Sequence, residues 1–110
     1  MNEKVSIKIL NVEDEPDLRE RIRIVLEMYF TEVIVATNGK EGLELFTLHL
    51  PDIVVSDIKM PVMDGLEFTR LIRKISPEIP VILTTAFTET DYLLKAIELG
   101  LEGAQVARDA

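Results

Sequence analysis

The sequence predicts an α/β fold in which a parallel β-sheet is covered by helices on both faces. Short apolar or β-branched runs alternate along the chain with segments whose apolar residues recur at helical spacing. This alternation is typical of parallel sheets with right-handed crossover connections. The run Ile53–Val55 continues through Ser56 to Asp57 without polar alternation, which predicts a central strand buried on both faces. The chain is organised around this strand and the aspartate at its end.

The first half of the chain predicts two strands and two helices. Residues 5–12 form the first strand, and a helix over about residues 16–29 follows, with Pro16 in its first position. Residues 32–36 form a short β-branched strand, and Asn38 opens the second helix as its N-cap. The apolar residues predicted to face the core are Leu18, Ile22, Val25, Leu26 and Tyr29 in the first helix and Leu43, Phe46 and Leu50 in the second.

The second half repeats the pattern. The central strand over 53–57 leads through a loop to a helix over about 65–75, with Asp64 as its N-cap, and a buried strand follows at 81–85. Thr88 caps a fourth helix, which Gly100 ends. The apolar residues predicted to face inward are Leu66, Leu71, Ile72 and Ile75 in the third helix and Leu93, Leu94, Ile97 and Leu99 in the fourth. An acid follows each of three N-caps at the third position, as in a capping box: Glu41, Glu67 and Asp91.

The C-terminal tail departs from the pattern. A fifth strand is expected after Gly103, but residues 104–110 are rich in helix formers and poor in β-branched residues. No further helix follows. We therefore expect residues 1–110 to form one domain that is incomplete at its C-terminus, with part of one sheet face and the inner side of the first helix uncovered. Apolar surfaces of that kind mark interfaces, which predicts a homodimer, formed by element exchange between chains, or reliance on a further segment.

Composition excludes several classes of protein. The 110 residues contain no cysteine, so disulfide frameworks and thiolate metal sites are excluded. A net charge of -8 argues against direct binding of nucleic acid. No apolar run approaches the ~20 residues of a membrane span, and the N-terminal residues lack the apolar segment of a signal peptide. We expect a cytoplasmic protein.

Acidic residues follow two of the predicted strands. Glu13 and Asp14 follow the first strand, and Asp57 ends the third. Because neighbouring strands of such a sheet end together at the switch point of the strand order, we expect these three side chains to meet. Three carboxylates in one cleft repel one another unless a cation or protons neutralise them. Oxygen ligands without histidine or cysteine favour Mg²⁺ over Zn²⁺.

Other roles remain open for these acids. Glu13 and Asp14 also place favourable charge at the N-terminus of the first helix, and Asp57 could be a helix cap or a solvated loop acid. Thr85, at the tip of the fourth strand, supplies a hydroxyl that can donate a hydrogen bond to a phosphoryl oxygen. A metal-bound carboxylate beside such groups can act as a nucleophile and form an aspartyl phosphate. The sequence therefore predicts a phosphoryl-transfer site in which Asp57 reacts.

These motifs resemble those of the receiver domains of bacterial two-component response regulators over nearly the whole chain. The matching segments are residues 12–15 (VEDE), 57–65 (DIKMPVMDG) and 84–86 (TTA). The resemblance implies a flavodoxin-like sheet with strand order 2-1-3-4-5. It also implies that Asp57 accepts a phosphoryl group from a sensor histidine kinase, so that the protein is a signalling switch with only self-directed phosphoryl chemistry rather than an enzyme acting on other substrates.

The resemblance also implies site roles. Asp14 and Asp57 would bind Mg²⁺ directly, Glu13 would act through water, and the backbone carbonyl of Lys59 would complete the protein ligands. Thr85 would move toward the phosphoryl group and bias a two-state equilibrium, whereas Asp64 is structural, as a helix cap.

The tail departs from the family as well. The family has a Lys-Pro pair after the fifth strand and an aromatic residue three positions before that lysine. Here Ala104 stands at the aromatic position, Ala107 at the lysine and Arg108 at the proline. One cation of the site is therefore missing, and the Lys59 side chain is a candidate to supply positive charge instead. Signalling through an aromatic switch at that position is excluded.

Three alternative functions compete with this interpretation, and the residues argue against the second and the third. The altered tail would suit a phosphorylation-impaired receiver that serves as an interaction or dimerisation module, with an output partner that the sequence does not identify. A phosphatase with an aspartate nucleophile would have a second aspartate two residues after Asp57, where Lys59 stands. A flavin protein of similar topology needs a phosphate-binding loop after the first strand, where acidic residues would repel phosphate.

Overall fold

The computed structural model describes residues 3–85 and 90–101. Over this part of the chain, strands and helices alternate in the order β1 (Val5–Val12), α1 (Pro16–Tyr29), β2 (Phe30–Ala36), α2 (Gly39–His49), β3 (Ile53–Asp57), α3 (Gly65–Ile75), β4 (Val81–Thr84) and α4 (Thr90–Leu101). The predicted α/β alternation is confirmed. The strand β2 begins two residues earlier than predicted, because Phe30 is buried and pairs with Val5 of β1.

The four strands form one parallel sheet with the order β2-β1-β3-β4. Val12 of β1 lies opposite Ser56 of β3, and Asp57 lies opposite Thr84 of β4. The carboxyl ends of β1, β3 and β4 are therefore level with one another. This confirms the predicted order for the first four strands, whereas the segment expected to form a fifth strand lies outside the described residues.

The helix starts follow the sequence signals in part. The Asn38 side chain accepts a hydrogen bond from the Glu41 backbone N–H at 2.9 Å, and Asp64 accepts one from the Glu67 N–H at 2.8 Å. The reciprocal half of the predicted box differs at α2, because the Glu41 carboxylate accepts from the backbone N–H of Thr37 at 2.6 Å. The predicted cap Thr88 lies outside the described residues.

Each face of the sheet carries its own apolar core. The α1 face is formed by Ile9, Leu26, Phe30, Ile53, Val55, Ile82, Leu93 and Ile97. The opposite face, under α2 and α3, is formed by Leu10, Val12, Ala36, Phe46, Val54, Met60, Phe68, Ile72, Ile79 and Val81. Successive residues of β1 and β3 alternate between these clusters, as expected for strands that are buried on both faces of the sheet.

Four residues that were predicted to face inward are exposed: Tyr29, Leu50, Leu66 and Ile75. In α3 the buried stripe is centred on Phe68 and Ile72, one helical turn apart. Leu66 lies two residues before Phe68 and hence on roughly the opposite side of the helix. Leu50 follows the last residue of α2 with φ 49° and turns away from the core.

The position of α4 bears on the expectation that part of one sheet face is uncovered. Leu93 and Ile97 of α4 are buried in the cluster that contains Leu26 of α1 and Ile9 of β1. The part of this sheet face formed by β3 and β4 is therefore covered by α4. The predicted homodimer was based on an uncovered face at this position and stays an untested prediction.

The position of α4 also has a topological meaning. From β1 to β2 the chain crosses the α1 face, and from β2 through β3 to β4 it moves in the opposite direction across the α2–α3 face. A right-handed connection from β4 to a strand beyond it would keep to the α2–α3 face. Because α4 lies on the α1 face, its position is not that of such a crossover.

Among the described helices, none combines the length and the apolar character needed to cross a membrane.

Candidate functional site

Glu13 is held at the end of β1 by backbone contacts. Its N–H donates to the carbonyl of Ala36 in β2 at 3.0 Å, which extends the β1–β2 ladder by one residue. Its carbonyl accepts from Arg19 Nη1 at 3.0 Å, and its carboxylate accepts from the Glu15 N–H at 3.1 Å. The side chain is only 2% exposed. Glu13 is therefore a buried, well-fixed acid rather than a loop residue in solvent.

The acid that caps α1 is Glu15. Its carboxylate accepts from the backbone N–H groups of Asp17 at 2.9 Å and Leu18 at 3.1 Å, and Pro16 follows it in the first turn. This cap satisfies N–H groups that a helix start would otherwise leave unpaired. The hydrogen-bonded cap of α1 is thus formed by Glu15 and not by Glu13 or Asp14.

Asp57 is the last residue of β3 and is partly buried. Its Oδ1 accepts from the N–H of Ile58 at 2.9 Å, and the N–H of Lys59 also donates to its carboxylate. The chain then turns back, so that the N–H of Gly65 donates to the Ile58 carbonyl at 2.8 Å. A short, internally bonded loop therefore fixes the carboxylate between β3 and α3.

The structure brings the three predicted acids together. A carboxylate oxygen from each of Glu13, Asp14 and Asp57 lies within 4.8 Å of the other two. Burial, followed by the charges of Asp57 and Asp14, raises the pKa of Glu13 to about 7, and the Glu15 N–H opposes this rise. Burial and then the charge of Asp14 raise the pKa of Asp57, against the Ile58 and Lys59 N–H groups and the Lys59 charge. The cluster carries more negative charge than its own surroundings neutralise.

This donor set fits a hard divalent cation. Its ligand atoms are carboxylate oxygens, with no imidazole or thiolate among them, and Mg²⁺ is bound in proteins by one or two carboxylates together with waters and phosphate oxygens. A dication would also reverse the electrostatic conditions that raise both pKa values. The residues present are therefore suited to Mg²⁺.

The acids open into a cleft of about 750 Å³ between the β1–α1 turn and the β3–α3 loop. Its lining residues are Glu13, Asp14, Glu15, Leu18, Arg21, Asp57, Ile58, Lys59 and Thr85. Lys59 and Thr85, both predicted as site residues, are exposed in this cleft. Thr85 follows the last residue of β4 rather than belonging to the strand.

Four of the described lining residues were not predicted for the site: Glu15, Leu18, Arg21 and Ile58. The spacing of Leu18 and Arg21, three residues apart on α1, could have placed both on one side of the helix. The predicted structural role of Asp64 agrees with its position, because it caps α3.

The comparisons with known proteins agree on one family. Residues 9–105 match the family model described as "Response regulator receiver domain". A probable transcriptional regulator ycf27 of Guillardia theta is 37% identical over 95 residues, which are 86% of this chain and 37% of that protein. The chemotaxis protein CheY of Halobacterium salinarum is 32% identical over 87% of this chain and 80% of its own length. The ycf27 protein of Cyanophora paradoxa is 38% identical to this chain. The chain spans less than two fifths of the length of these two ycf27 proteins, 37% of the one from Guillardia theta and 39% of the one from Cyanophora paradoxa.

Solved structures agree with these relatives. A response regulator receiver domain protein from Clostridium thermocellum has a TM-score of 0.68 at 36% identity, over 88% of this chain and 76% of that one. The N-terminal domain of an uncharacterized protein from Wolinella succinogenes has a TM-score of 0.70 at 44% identity, over 86% and 77% of the two chains. The fold is also that of the chemotaxis response regulator CheY4 of Vibrio cholerae, with a TM-score of 0.78 at 24% identity.

Proposed function

The chain belongs to the response regulator receiver domains of two-component systems, and from that membership we propose that it is a phosphoryl-accepting signalling switch in which Asp57 is the phosphorylated residue. The convergence of three carboxylates at the carboxyl ends of β1 and β3 carries this proposal. Receiver domains interact with histidine kinases and output domains, and the family uses Mg²⁺. The phosphoryl donor proposed here is a sensor histidine kinase in the cytoplasm, and residues 1–110 act as one receiver domain.

The reaction needs Asp57 as a carboxylate. One of its oxygens attacks the phosphorus atom, and the bond from phosphorus to the donor atom breaks, so that the donor leaves with the electron pair. Burial and Asp14 raise the pKa of Asp57 and oppose this ionised form. The N–H groups of Ile58 and Lys59 favour it, because they donate to the carboxylate. Mg²⁺ held by these carboxylates would supply positive charge that stabilises the ionised Asp57 and the charge on the phosphoryl oxygens.

The other residues have distinct proposed roles. Asp14 and Asp57 bind the metal directly, Glu13 binds through water, and the Lys59 carbonyl completes the protein ligands. Thr85 donates its hydroxyl to a phosphoryl oxygen once the aspartyl phosphate has formed. This chemistry is directed at the protein itself, so the chain is not an enzyme for other substrates.

The proposal is tested by intact mass after incubation with acetyl phosphate, with and without Mg²⁺. We expect the mass to rise by one phosphoryl group only when Mg²⁺ is present, and Asp57→Asn to abolish the gain. Asp14→Asn should slow labelling by at least about a hundredfold, because removing a metal ligand costs several kcal/mol of transition-state stabilisation.

Asp52→Asn is the matched control. Asp52 lies just before the opposite end of β3 and accepts the Lys8 N–H at 2.8 Å, a bond that an asparagine oxygen can keep. This variant should label like the parent protein. Labelling that persists in Asp57→Asn, or a folded parent protein that takes no phosphoryl group, would contradict the proposal.

A further inference from the structure

Arg21 is a basic residue that lines the acidic cleft. It lies on α1, one turn after Leu18, and both residues line the cleft that contains Asp57. The side chain is exposed. The described residues that line the cleft include two with cationic side chains, Arg21 and Lys59, and four with carboxylates, so the position of each cation matters for a phosphate-bearing substrate.

Arg21 differs from the other described arginines because no partner within residues 3–85 and 90–101 engages its side chain. Arg19 donates to the Glu13 carbonyl, and Arg73 donates to the Ile79 carbonyl. Arg23 and Arg70 form ion pairs with glutamates of their own helices. Among the residues that the structure describes, no hydrogen bond or ion pair engages Arg21. Its donors are therefore available to a bound anion.

The two cations of the cleft are suited to different tasks. Lys59 lies two residues after Asp57 and already acts on that carboxylate, because its charge lowers the pKa of Asp57. Arg21 approaches from α1, across the cleft from the β3–α3 loop. A guanidinium is planar and carries several N–H donors, so it can bind two phosphoryl oxygens at once, which an ammonium group does less well.

We propose that Arg21 binds the phosphoryl oxygens during transfer to Asp57 and supplies the cation that the alanine at position 107 does not. This inference rests on the proposed function. With acetyl phosphate, an oxygen of Asp57 forms a bond to phosphorus as the bond from phosphorus to the acetyl oxygen breaks. Acetate leaves with the electron pair, no proton is transferred, and the total charge is conserved. Arg21 contacts the phosphoryl oxygens throughout and takes no part in the covalent change.

The test compares labelling rates of Arg21→Ala and Arg21→Lys under acetyl phosphate and Mg²⁺. A charge-assisted hydrogen bond of ordinary strength corresponds to a loss of about tenfold in the rate for Arg21→Ala. The loss should be smaller for Arg21→Lys, which keeps the charge without the planar group. Arg70→Ala is the matched control, because Arg70 is an exposed arginine of α3 outside the cleft, and its rate should be unchanged.

Chemical rescue distinguishes a direct contact from a structural effect. Methylguanidinium, added below the concentrations that unfold the protein, should restore part of the rate of Arg21→Ala, and sodium chloride at equal ionic strength should not. The rise in Tm caused by Mg²⁺ should be the same in Arg21→Ala as in the parent protein, because Arg21 is not a metal ligand. An unchanged rate in Arg21→Ala, an equal loss in Arg70→Ala, or no rescue would each overturn the inference.

The same experiment distinguishes failure of this inference from failure of the proposed function. A parent protein that labels at Asp57 while Arg21→Ala labels equally fast refutes the role of Arg21 and leaves the proposed function intact. A parent protein that does not label at all refutes both. A rate loss in Lys59→Gln that methylguanidinium does not rescue, with no loss in Arg21→Ala, would assign the contact to Lys59 instead.

Discussion

Gly65 joins the aspartate loop to α3 in a space that admits no larger side chain. A Cβ atom at this position would lie 2.1 Å from the carbonyl oxygen of Asp57. That oxygen belongs to the backbone that carries the reactive carboxylate, so it cannot move aside as a flexible side chain would. The N–H of Gly65 also donates to Ile58 at 2.8 Å, which holds the loop closed. Gly65 therefore fixes the position of Asp57 through backbone contact.

We expect Gly65→Ala to lower the free energy of unfolding by about 3 kcal/mol, because steric overpacking against a fixed backbone costs on the order of 1–3 kcal/mol or more. Urea unfolding measures this loss. Leu66→Ala is the control: Leu66 is the next residue and is 57% exposed, so its truncation should cost less than about 0.5 kcal/mol. Equal losses in the two variants would contradict the steric explanation.

At the residue scale, the sequence predicted the acids of the site better than their surroundings. Glu13, Asp14 and Asp57 were predicted to meet because each lies at or just after the end of a strand, and parallel strands end at the same edge of the sheet. The close approach of Gly65 to Asp57 and the entry of Arg21 into the cleft depend on distances between segments. No local pattern contains those distances, so neither was predicted.

At the scale of elements, α4 is where pattern and structure differ most. The apolar spacing of Leu93 and Ile97 predicted an amphipathic helix, and the helix is present. The same spacing cannot say which face of the sheet the helix covers, because both faces offer aliphatic residues from adjacent strand positions. Only the burial of Leu93 and Ile97 in the cluster that also contains Leu26 and Ile9 assigns α4 to the α1 face.

This assignment can be tested with a double-mutant cycle. Leu26→Ala and Ile97→Ala should each cost about 2–5 kcal/mol, since both side chains are fully buried. Their combined effect should depart from the sum by more than about 0.5 kcal/mol, because they share one cluster. Ile72→Ala on the opposite face is the control partner and should add to Ile97→Ala. Coupling of Ile97 to Ile72 rather than to Leu26 would contradict the assignment, because it would show that α4 packs on the α2–α3 face.

At the scale of the whole molecule, the acidic cluster makes stability depend on pH and on metal together. The chain has a formal net charge of -8, and burial raises the pKa of Glu13 to about 7 from its ordinary value of 4.5. Between these two values the folded protein keeps a proton that the unfolded chain has released. Stability linked to this group is therefore full below the lower value and falls as pH rises through the upper one.

We expect the metal-free protein to be less stable at about pH 8 than at about pH 5.5, with about 2 kcal/mol of the difference due to Glu13. The ion-paired acids Glu20 and Glu67, whose pKa values are lowered, are ionised in both states across this window and do not contribute.

Mg²⁺ should stabilise the protein more at the higher pH, because fewer protons then compete for the carboxylates. Urea unfolding at both pH values, with and without Mg²⁺, measures the four stabilities. In Glu13→Gln the difference in metal-free stability between the two pH values should shrink by the Glu13 contribution. A parent protein whose metal-free stability rises with pH across this window would contradict the prediction, because Glu13 would then not be a buried, neutral acid.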